Sequence, residues 1–397
     1  MRIVIPSELE EEVRQTLGGM ADYVEATATP ERTDRLWPAC FEVFGTNPMS
    51  LAHGAVGPAL FLHRMGRGLT ASTIDWIERQ PLSTAAYAPG YWIGLAGIGY
   101  GLSELGMTTK AEEAISLSYS SPLRRSEASM FHGEAGWGMS SLHFFEKTQR
   151  QEYLDGAVGA AQWLVDTAIR DERGLTWAAG SGEESPLGFA FGASGVGLFL
   201  MLAGRAVGED RFIESAMEAF EFDFAHRQDG PHGWTWPAYI GGETVLPYWG
   251  SGAAGIGGVA LRMFAGLGDR RYLEIAETIA EATALIWTIQ PGLVSGLTGI
   301  GEYMLDCFIA TGKEEYLERC ANIARTLLLY RIPRPEGFAY PDRWLARISN
   351  DVVAGAAGVG LFLRRIRQPT ANPFIDLVGT VEMLSSSATV TFTAQRQ

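Results

Sequence analysis

Cysteine is scarce in this chain: Cys40, Cys307 and Cys320 are the only three in 397 residues, and they stand far apart. Such spacing excludes a disulfide framework and fits a reducing compartment, so a cytoplasmic protein is expected. Lysine is equally rare. Lys110, Lys147 and Lys313 leave arginine as nearly all of the 31 basic residues. Positive charge is in deficit overall, and the formal net charge of −15 argues against a surface built for nucleic acid or an anionic membrane. No apolar run reaches the ~18 residues a membrane-spanning helix requires. Met1-Arg2-Ile3-Val4-Ile5-Pro6 lacks the long apolar core of a secretion signal. What is present, 47% hydrophobic and 19% charged residues, describes a globular chain with a large core.

Glycine, by contrast, is abundant, and 48 of them would make a lone Gly-x-x-Gly a weak signal. Here the pattern recurs seven times, beginning at Gly54, Gly94, Gly133, Gly192, Gly252, Gly296 and Gly355. A second register is locked to the first. Seventeen residues after Gly136, Gly195, Gly255 and Gly299 come Tyr153-Leu154, Phe212-Ile213, Tyr272-Leu273 and Tyr316-Leu317. Ile74, Ala114 and Ile375 hold that offset in the other three copies. An internal repeat of this length marks a single array of stacked units rather than two unrelated domains.

Each motif runs into an almost wholly apolar segment, such as Val196-Gly197-Leu198-Phe199-Leu200-Met201-Leu202, which reads as a helix buried all round. The segments opening at Tyr153, Phe212, Tyr272 and Tyr316 carry charge on one face and read as an outer layer. Buried inner helices ringed by amphipathic outer ones predict an all-α fold, an α/α toroid with a double layer of helices and seven repeats. Residues 1–49 read as a helical extension, with an amphipathic helix from Leu9 to Tyr23, and residues 386–397 as a loose tail. Gly174-Leu175-Thr176-Trp177, Gly233-Trp234-Thr235-Trp236 and Gly337-Phe338-Ala339-Tyr340 predict short β-hairpins inserted at one end of the array. Insertions of this kind gather on one face of a repeat protein, often the binding face.

The complete seven-copy pattern resembles the lanthionine synthetase C-like (LanC-like) family, and the likeness covers nearly the whole chain. It implies a cyclase in which a peptide cysteine adds to dehydroalanine or dehydrobutyrine to form a thioether. Zinc-dependent members carry Trp-Cys-Tyr-Gly at the fifth repeat, where this chain has Trp249-Gly250-Ser251-Gly252, and Cys-His-Gly at the sixth, where it has Val294-Ser295-Gly296. The fourth repeat's common histidine falls on Phe191, and the acidic residue expected ahead of the third repeat falls on Ser129. Zinc needs about four N, S or O donors, and the family's ligand positions supply none, so no metal and no cofactor are expected. Phe131-His132-Gly133-Glu134 and Tyr248-Trp249-Gly250-Ser251 resemble the zinc-free branch, the cyclase domains of class III lanthipeptide synthetases. A dehydrated precursor peptide, and separate kinase and lyase proteins, are the partners the resemblance implies. A non-catalytic scaffold binding the same partners is the alternative.

Chemistry without a metal needs a base for the thiol and a proton for the enolate. The residues just before each motif, His53, Ile93, His132, Phe191, Ser251, Ser295 and Ala354, are placed to face a central cavity. His132 and His53 are therefore the acid/base candidates. Tyr91, Trp92, Glu134, Phe191, Tyr248, Trp249, Ser251 and Ser295 are the candidates for lining a peptide groove. Asp342, Arg343, Arg347 and Asp351 read as a solvated ion-pair cluster. A glycosidase on the same fold would need two facing carboxylates, and at the motif mouths Glu134 stands alone.

Overall fold

Each Gly-x-x-Gly turn is a backbone cap for the helix that follows it. The amide after the first glycine donates to the carbonyl seven residues back in six repeats, as Ala55 N–H does to Pro48 (2.8 Å) and Leu95 N–H to Ala88 (2.8 Å). The next amide does the same one place on, Ala96 to Pro89 at 3.1 Å and Ala135 to Ala128 at 3.1 Å. Orphan first-turn donors are satisfied this way without side-chain caps. The loop must then lie against the helix start, which explains both glycines. A β-carbon on Gly97 would sit 1.5 Å from the Tyr91 carbonyl oxygen, and one on Gly252, whose φ is +114°, 1.9 Å from that of Leu246.

The computed structural model describes residues 5–178 and 185–376; the expected loose tail, 386–397, lies outside them. Its helices are α1 (Ser7–Ala26), α2 (Glu42–Gly45), α3 (Val56–Arg64), α4 (Ala71–Arg79) and α5 (Leu95–Glu104). They continue with α6 (Thr108–Tyr119), α7 (Glu134–Thr148), α8 (Gln151–Thr167), α9 (Ala193–Val207) and α10 (Asp210–Ala225). The last are α11 (Ala253–Leu267), α12 (Arg270–Ala282), α13 (Leu297–Thr311), α14 (Glu314–Leu329) and α15 (Ala356–Arg367). The odd helices from α3 to α15 start at the motifs and are the apolar ones; α9 is buried from Ala193 through Gly204. The even helices from α4 to α14 are their amphipathic partners, as the second register predicts. No helix among the described residues is long and apolar enough to cross a membrane.

Three antiparallel hairpins interrupt the helices: β1 (Ile169–Asp171) with β2 (Gly174–Thr176), β3 (Gln228–Gly230) with β4 (Gly233–Thr235), and β5 (Ile332–Arg334) with β6 (Gly337–Ala339). The aromatic that closes each hairpin caps the outer helix before it. Trp177 Nε1 donates to the Leu164 carbonyl (2.8 Å), Trp236 Nε1 to that of Asp223 (2.7 Å) and Tyr340 Oη to that of Leu327 (3.1 Å), all thirteen residues back. Trp37 Nε1 repeats the contact with Val24 of α1, again thirteen residues away (2.7 Å).

The described residues fall into two compact units. One holds residues 5–123, 285–301 and 318–369, and so contains the motif loops of repeats six, seven, one and two. Within it the motif loops are laced by backbone bonds from six to seven (Leu293 N–H to Val353 O, 2.9 Å), seven to one (Val352 N–H to Ala52 O, 3.2 Å) and one to two (Ala52 N–H to Trp92 O, 2.9 Å). The last repeat is thus tied to the first. Here the expected terminal extension is corrected. Helix α1 packs on α15 and on β6, in the place an outer helix takes beside the other hairpins. Residues 373–375, where the register puts a seventh outer helix, form a turn.

The second unit holds residues 124–178, 185–284, 302–317 and 370–376, with repeats three, four and five. Phe131 N–H donates to Ala190 O (2.9 Å), and Ala190 N–H to Gly250 O (2.8 Å). Repeat four departs from the shared cap. Asp223 of α10 replaces the loop carbonyls, accepting from Gly188 N–H (3.0 Å), Ala193 N–H (3.3 Å) and Ser194 N–H (2.9 Å). Burial outweighs these three amides and pushes the carboxyl up to about 6. A buried ion triad also sits in this unit, Arg262 forking onto Asp376 (2.9 and 2.8 Å) and reaching Asp306 at 2.7 Å.

Candidate functional site

In every motif loop the positions two and three before the first glycine are buried. The position immediately before it is half-exposed in five repeats: Ile93, His132, Phe191, Ser251 and Ser295. That alternation follows from an extended loop whose inner side packs against its neighbour. It puts His132 and Phe191 outward, beside a cavity of about 290 Å³ in the second unit.

Glu127, Ser129, Phe191, the hairpin-closing Trp177 and Tyr239 line this cavity. His132 adjoins it, its ring 5.4 Å from that of Phe191 and its Nδ1 3.7 Å from Glu127 Oε2. Ser129 ties the group together: its hydroxyl donates to Glu127 Oε1 (2.5 Å) and accepts from the His132 amide (3.1 Å). An imidazole, a carboxylate and a hydroxyl meet at one opening, the side chains that move a proton to and from a substrate. Glu127 was missed from sequence. Its signal is its place two residues from Ser129, where an acidic side chain reaches the spot the resemblance assigns to another position.

Other candidates lie elsewhere. Tyr91, Trp92 and Trp249 are core residues, 0%, 0% and 2% exposed, and so do not line a groove. Tyr91 and Trp92 pack edge to face at 5.6 Å, and Trp249 against Phe189 at 4.5 Å. Glu134 is 2% exposed; both its oxygens fork with the Arg124 guanidinium, and Oε2 accepts from Arg125 N–H (3.2 Å). Its task is to hold the loop ahead of α7. Tyr248 is half-buried, and burial raises its phenol. Ser251 and Ser295 are half-buried in their separate units.

His53 is 8% exposed. Its Nδ1 lies 3.1 Å from Cys40 Sγ, and Asp351 completes a buried trio whose ligand-type atoms lie within 4.8 Å of one another. Burial, then Asp351 and Glu42, push the thiol far up; burial pushes the imidazole down. This corrects one expectation: Asp351 and Asp342 are fully buried rather than solvated. Asp342 Oδ1 accepts from the Trp344 (3.1 Å) and Ala346 (3.0 Å) amides and so shapes a turn.

At the positions where the resemblance puts zinc ligands the chain has Gly250, Val294 and Ser295. Gly250 has no side chain to offer. Ser295 offers a hydroxyl, and Val294 is 5% exposed and apolar.

Paired helices starting at glycine turns define the class of fold. It is shared with the solved structure of a nisin cyclase, at a TM-score of 0.64 and 13% identity over 96% of this chain and 98% of that one. At that identity the likeness speaks for the fold alone. Residues 45–377 match the family model described as lanthionine synthetase C-like protein, and the chain belongs to that family. A relative described as "Probable SapB synthase", from Streptomyces coelicolor, is 27% identical over 277 residues, 69% of this chain. The match spans 29% of that protein, so this chain corresponds to under a third of its length.

Proposed function

We propose that the chain is a zinc-independent cyclase of dehydrated lanthipeptide precursors, working at the cavity of the second unit. The observation that carries this reading is the pairing of His132 with Glu127 beside a concave, partly apolar opening. The reaction needs no redox partner. The peptide thiol gives its proton to the His132 imidazole, and sulfur bonds to the β-carbon of the dehydroamino acid. The resulting enolate takes a proton back at its α-carbon from the imidazolium. Glu127 stabilises the imidazolium between the two transfers. A cavity of about 290 Å³ admits the reacting side chains, so the remainder of the peptide runs outside it; Phe191 and Trp177 offer apolar contact there. Kinase and lyase activities would supply the dehydrated substrate.

One observation favours a second reading, a scaffold that binds the precursor and activates those partners. Gly250, Val294 and Ser295 stand where zinc-dependent relatives keep their ligands. The test is to incubate EDTA-treated protein with dehydrated precursor and count alkylatable thiols by mass spectrometry. Loss of free cysteine well above the uncatalysed rate is expected. A rate equal to background, with partner enzymes accelerated instead, replaces the cyclase by the scaffold.

A further inference from the structure

We propose that Cys40, His53 and Asp351 form a binding site for a divalent transition-metal ion, zinc in the first instance, which pins the segment ahead of repeat one to repeats one and seven. The three residues come from three stretches of one unit, and all are buried. Their chemistry is that of a borderline cation: a thiolate, an imidazole nitrogen and a carboxylate oxygen. Donors sharing a tetrahedral zinc lie roughly 3.5 Å apart, close to the 3.1 Å between Cys40 Sγ and His53 Nδ1. On binding, the thiol releases its proton to solvent. One thiolate, one carboxylate and a neutral imidazole then balance a doubly charged ion, which is the condition for placing it in the interior.

Asp351 is held for this role and retains capacity. Oδ1 accepts from the Ala354 amide (2.8 Å), and Oδ2 accepts from the Cys40 amide (3.1 Å) and the Ser349 hydroxyl. A carboxylate has about four acceptor sites, so one is left. Glu42 lies beside the same thiol, and its charge is taken up by Arg343, whose Nε is 3.2 Å from Oε1, so the ion's charge is left to Cys40 and Asp351. The adjoining cleft, lined by His53 and Asp351, has no room for a water molecule, so the coordination shell would be made by protein atoms.

The site is independent of the proposed cyclase chemistry and is read without an activity assay. Protein kept reduced, stripped with chelator and titrated with Co²⁺ is expected to bind one ion per chain with a thiolate-to-cobalt charge-transfer band, which Zn²⁺ abolishes. Cys40→Ser should lose the band and weaken binding by more than about 100-fold, while the double variant Cys307→Ser/Cys320→Ser keeps it. A wild-type chain with no such band, or an unchanged band in Cys40→Ser, overturns the proposal. Should Cys40→Ser fail to fold, X-ray absorption of zinc-loaded wild-type protein decides: one sulfur in a shell of N and O neighbours is expected, and a shell without sulfur refutes it.

Discussion

His53 and His132 stand at the same register, one residue ahead of the first glycine, in repeats one and three. Their backbones are set identically: each amide donates to a serine hydroxyl three residues back, Ser50 at 3.2 Å and Ser129 at 3.1 Å. Their surroundings are opposite. His53 is 8% exposed, beneath the segment that carries Cys40, whereas the His132 side chain is 41% exposed and faces Glu127. The repeat therefore fixes where a side chain starts, and parts of the chain outside the repeat decide what it meets. A buried histidine with a thiol and a carboxylate is a structural or metal-holding group; a half-exposed one beside a cavity is free to exchange protons with a substrate.

The buried side of this comparison breaks most readily at Asp351. Asp351→Ala strands the Cys40 and Ala354 amides and the Ser349 hydroxyl. Each buried donor left unpaired costs about 1–3 kcal/mol, so a loss near ~3 kcal/mol is expected in urea unfolding at neutral pH. A loss below about 1 kcal/mol would mean that this cluster is not what fastens the segment. On the exposed side, His132→Gln should slow cyclisation of dehydrated peptide by about 100-fold while stability changes by less than about 0.5 kcal/mol. His53→Gln should instead lower stability, by about 1–2 kcal/mol. Equal stability losses in the two histidine variants would erase the distinction.

How much of this could be read in advance follows the same division. The seven inner helices, six outer ones and three hairpins of the described residues were legible because periodicity and the Gly-x-x-Gly turn are local. Burial of Tyr91, Trp92, Trp249 and Glu134 was not legible, since it depends on which neighbouring loop closes over them. The Cys40–His53–Asp351 group joins positions more than 300 residues apart, 311 between Cys40 and Asp351, and no spacing rule reaches that far. Asp223 was hidden for a similar reason. It lies in the last turn of α10 with no motif of its own, and its partners are amides of the motif loop about 30 residues earlier.

Asp223 extends the comparison to acid stability. Its folded pKa of about 6 lies above the ordinary carboxyl value near ~3.9, so the native state takes up the proton first. The stabilisation is present in full below pH ~4 and is lost as pH rises through about 6, amounting to about 3 kcal/mol. Asp223→Asn does not titrate, and this slope should vanish from unfolding free energies measured between pH 4 and 6. The variant should also lose about 1 kcal/mol at low pH, because the Asn amide cannot accept at both oxygen positions from Ala193 and Ser194. A slope unchanged in the variant would assign it to other carboxylates.

Glu127 gives the smallest and most discriminating effect. It can act on His132 in two ways, by orienting the ring or by its charge, and Glu127→Gln separates them. Glutamine keeps the length of the side chain and an oxygen able to accept from the Ser129 hydroxyl, as Glu127 does at 2.5 Å, but it removes the charge 3.7 Å from Nδ1. If charge is the working element, cyclisation slows by about tenfold, equivalent to about 1.4 kcal/mol. The gap between wild type and variant should then narrow in 1 M salt, because both groups are partly exposed and an ion pair there is screened. If orientation is the working element, Glu127→Gln stays within about twofold at every salt concentration, and Ser129→Ala becomes the more damaging change. Steady-state rates of the two variants at low and high salt therefore decide whether the exposed histidine is driven by the field of its neighbour or only held in place by it.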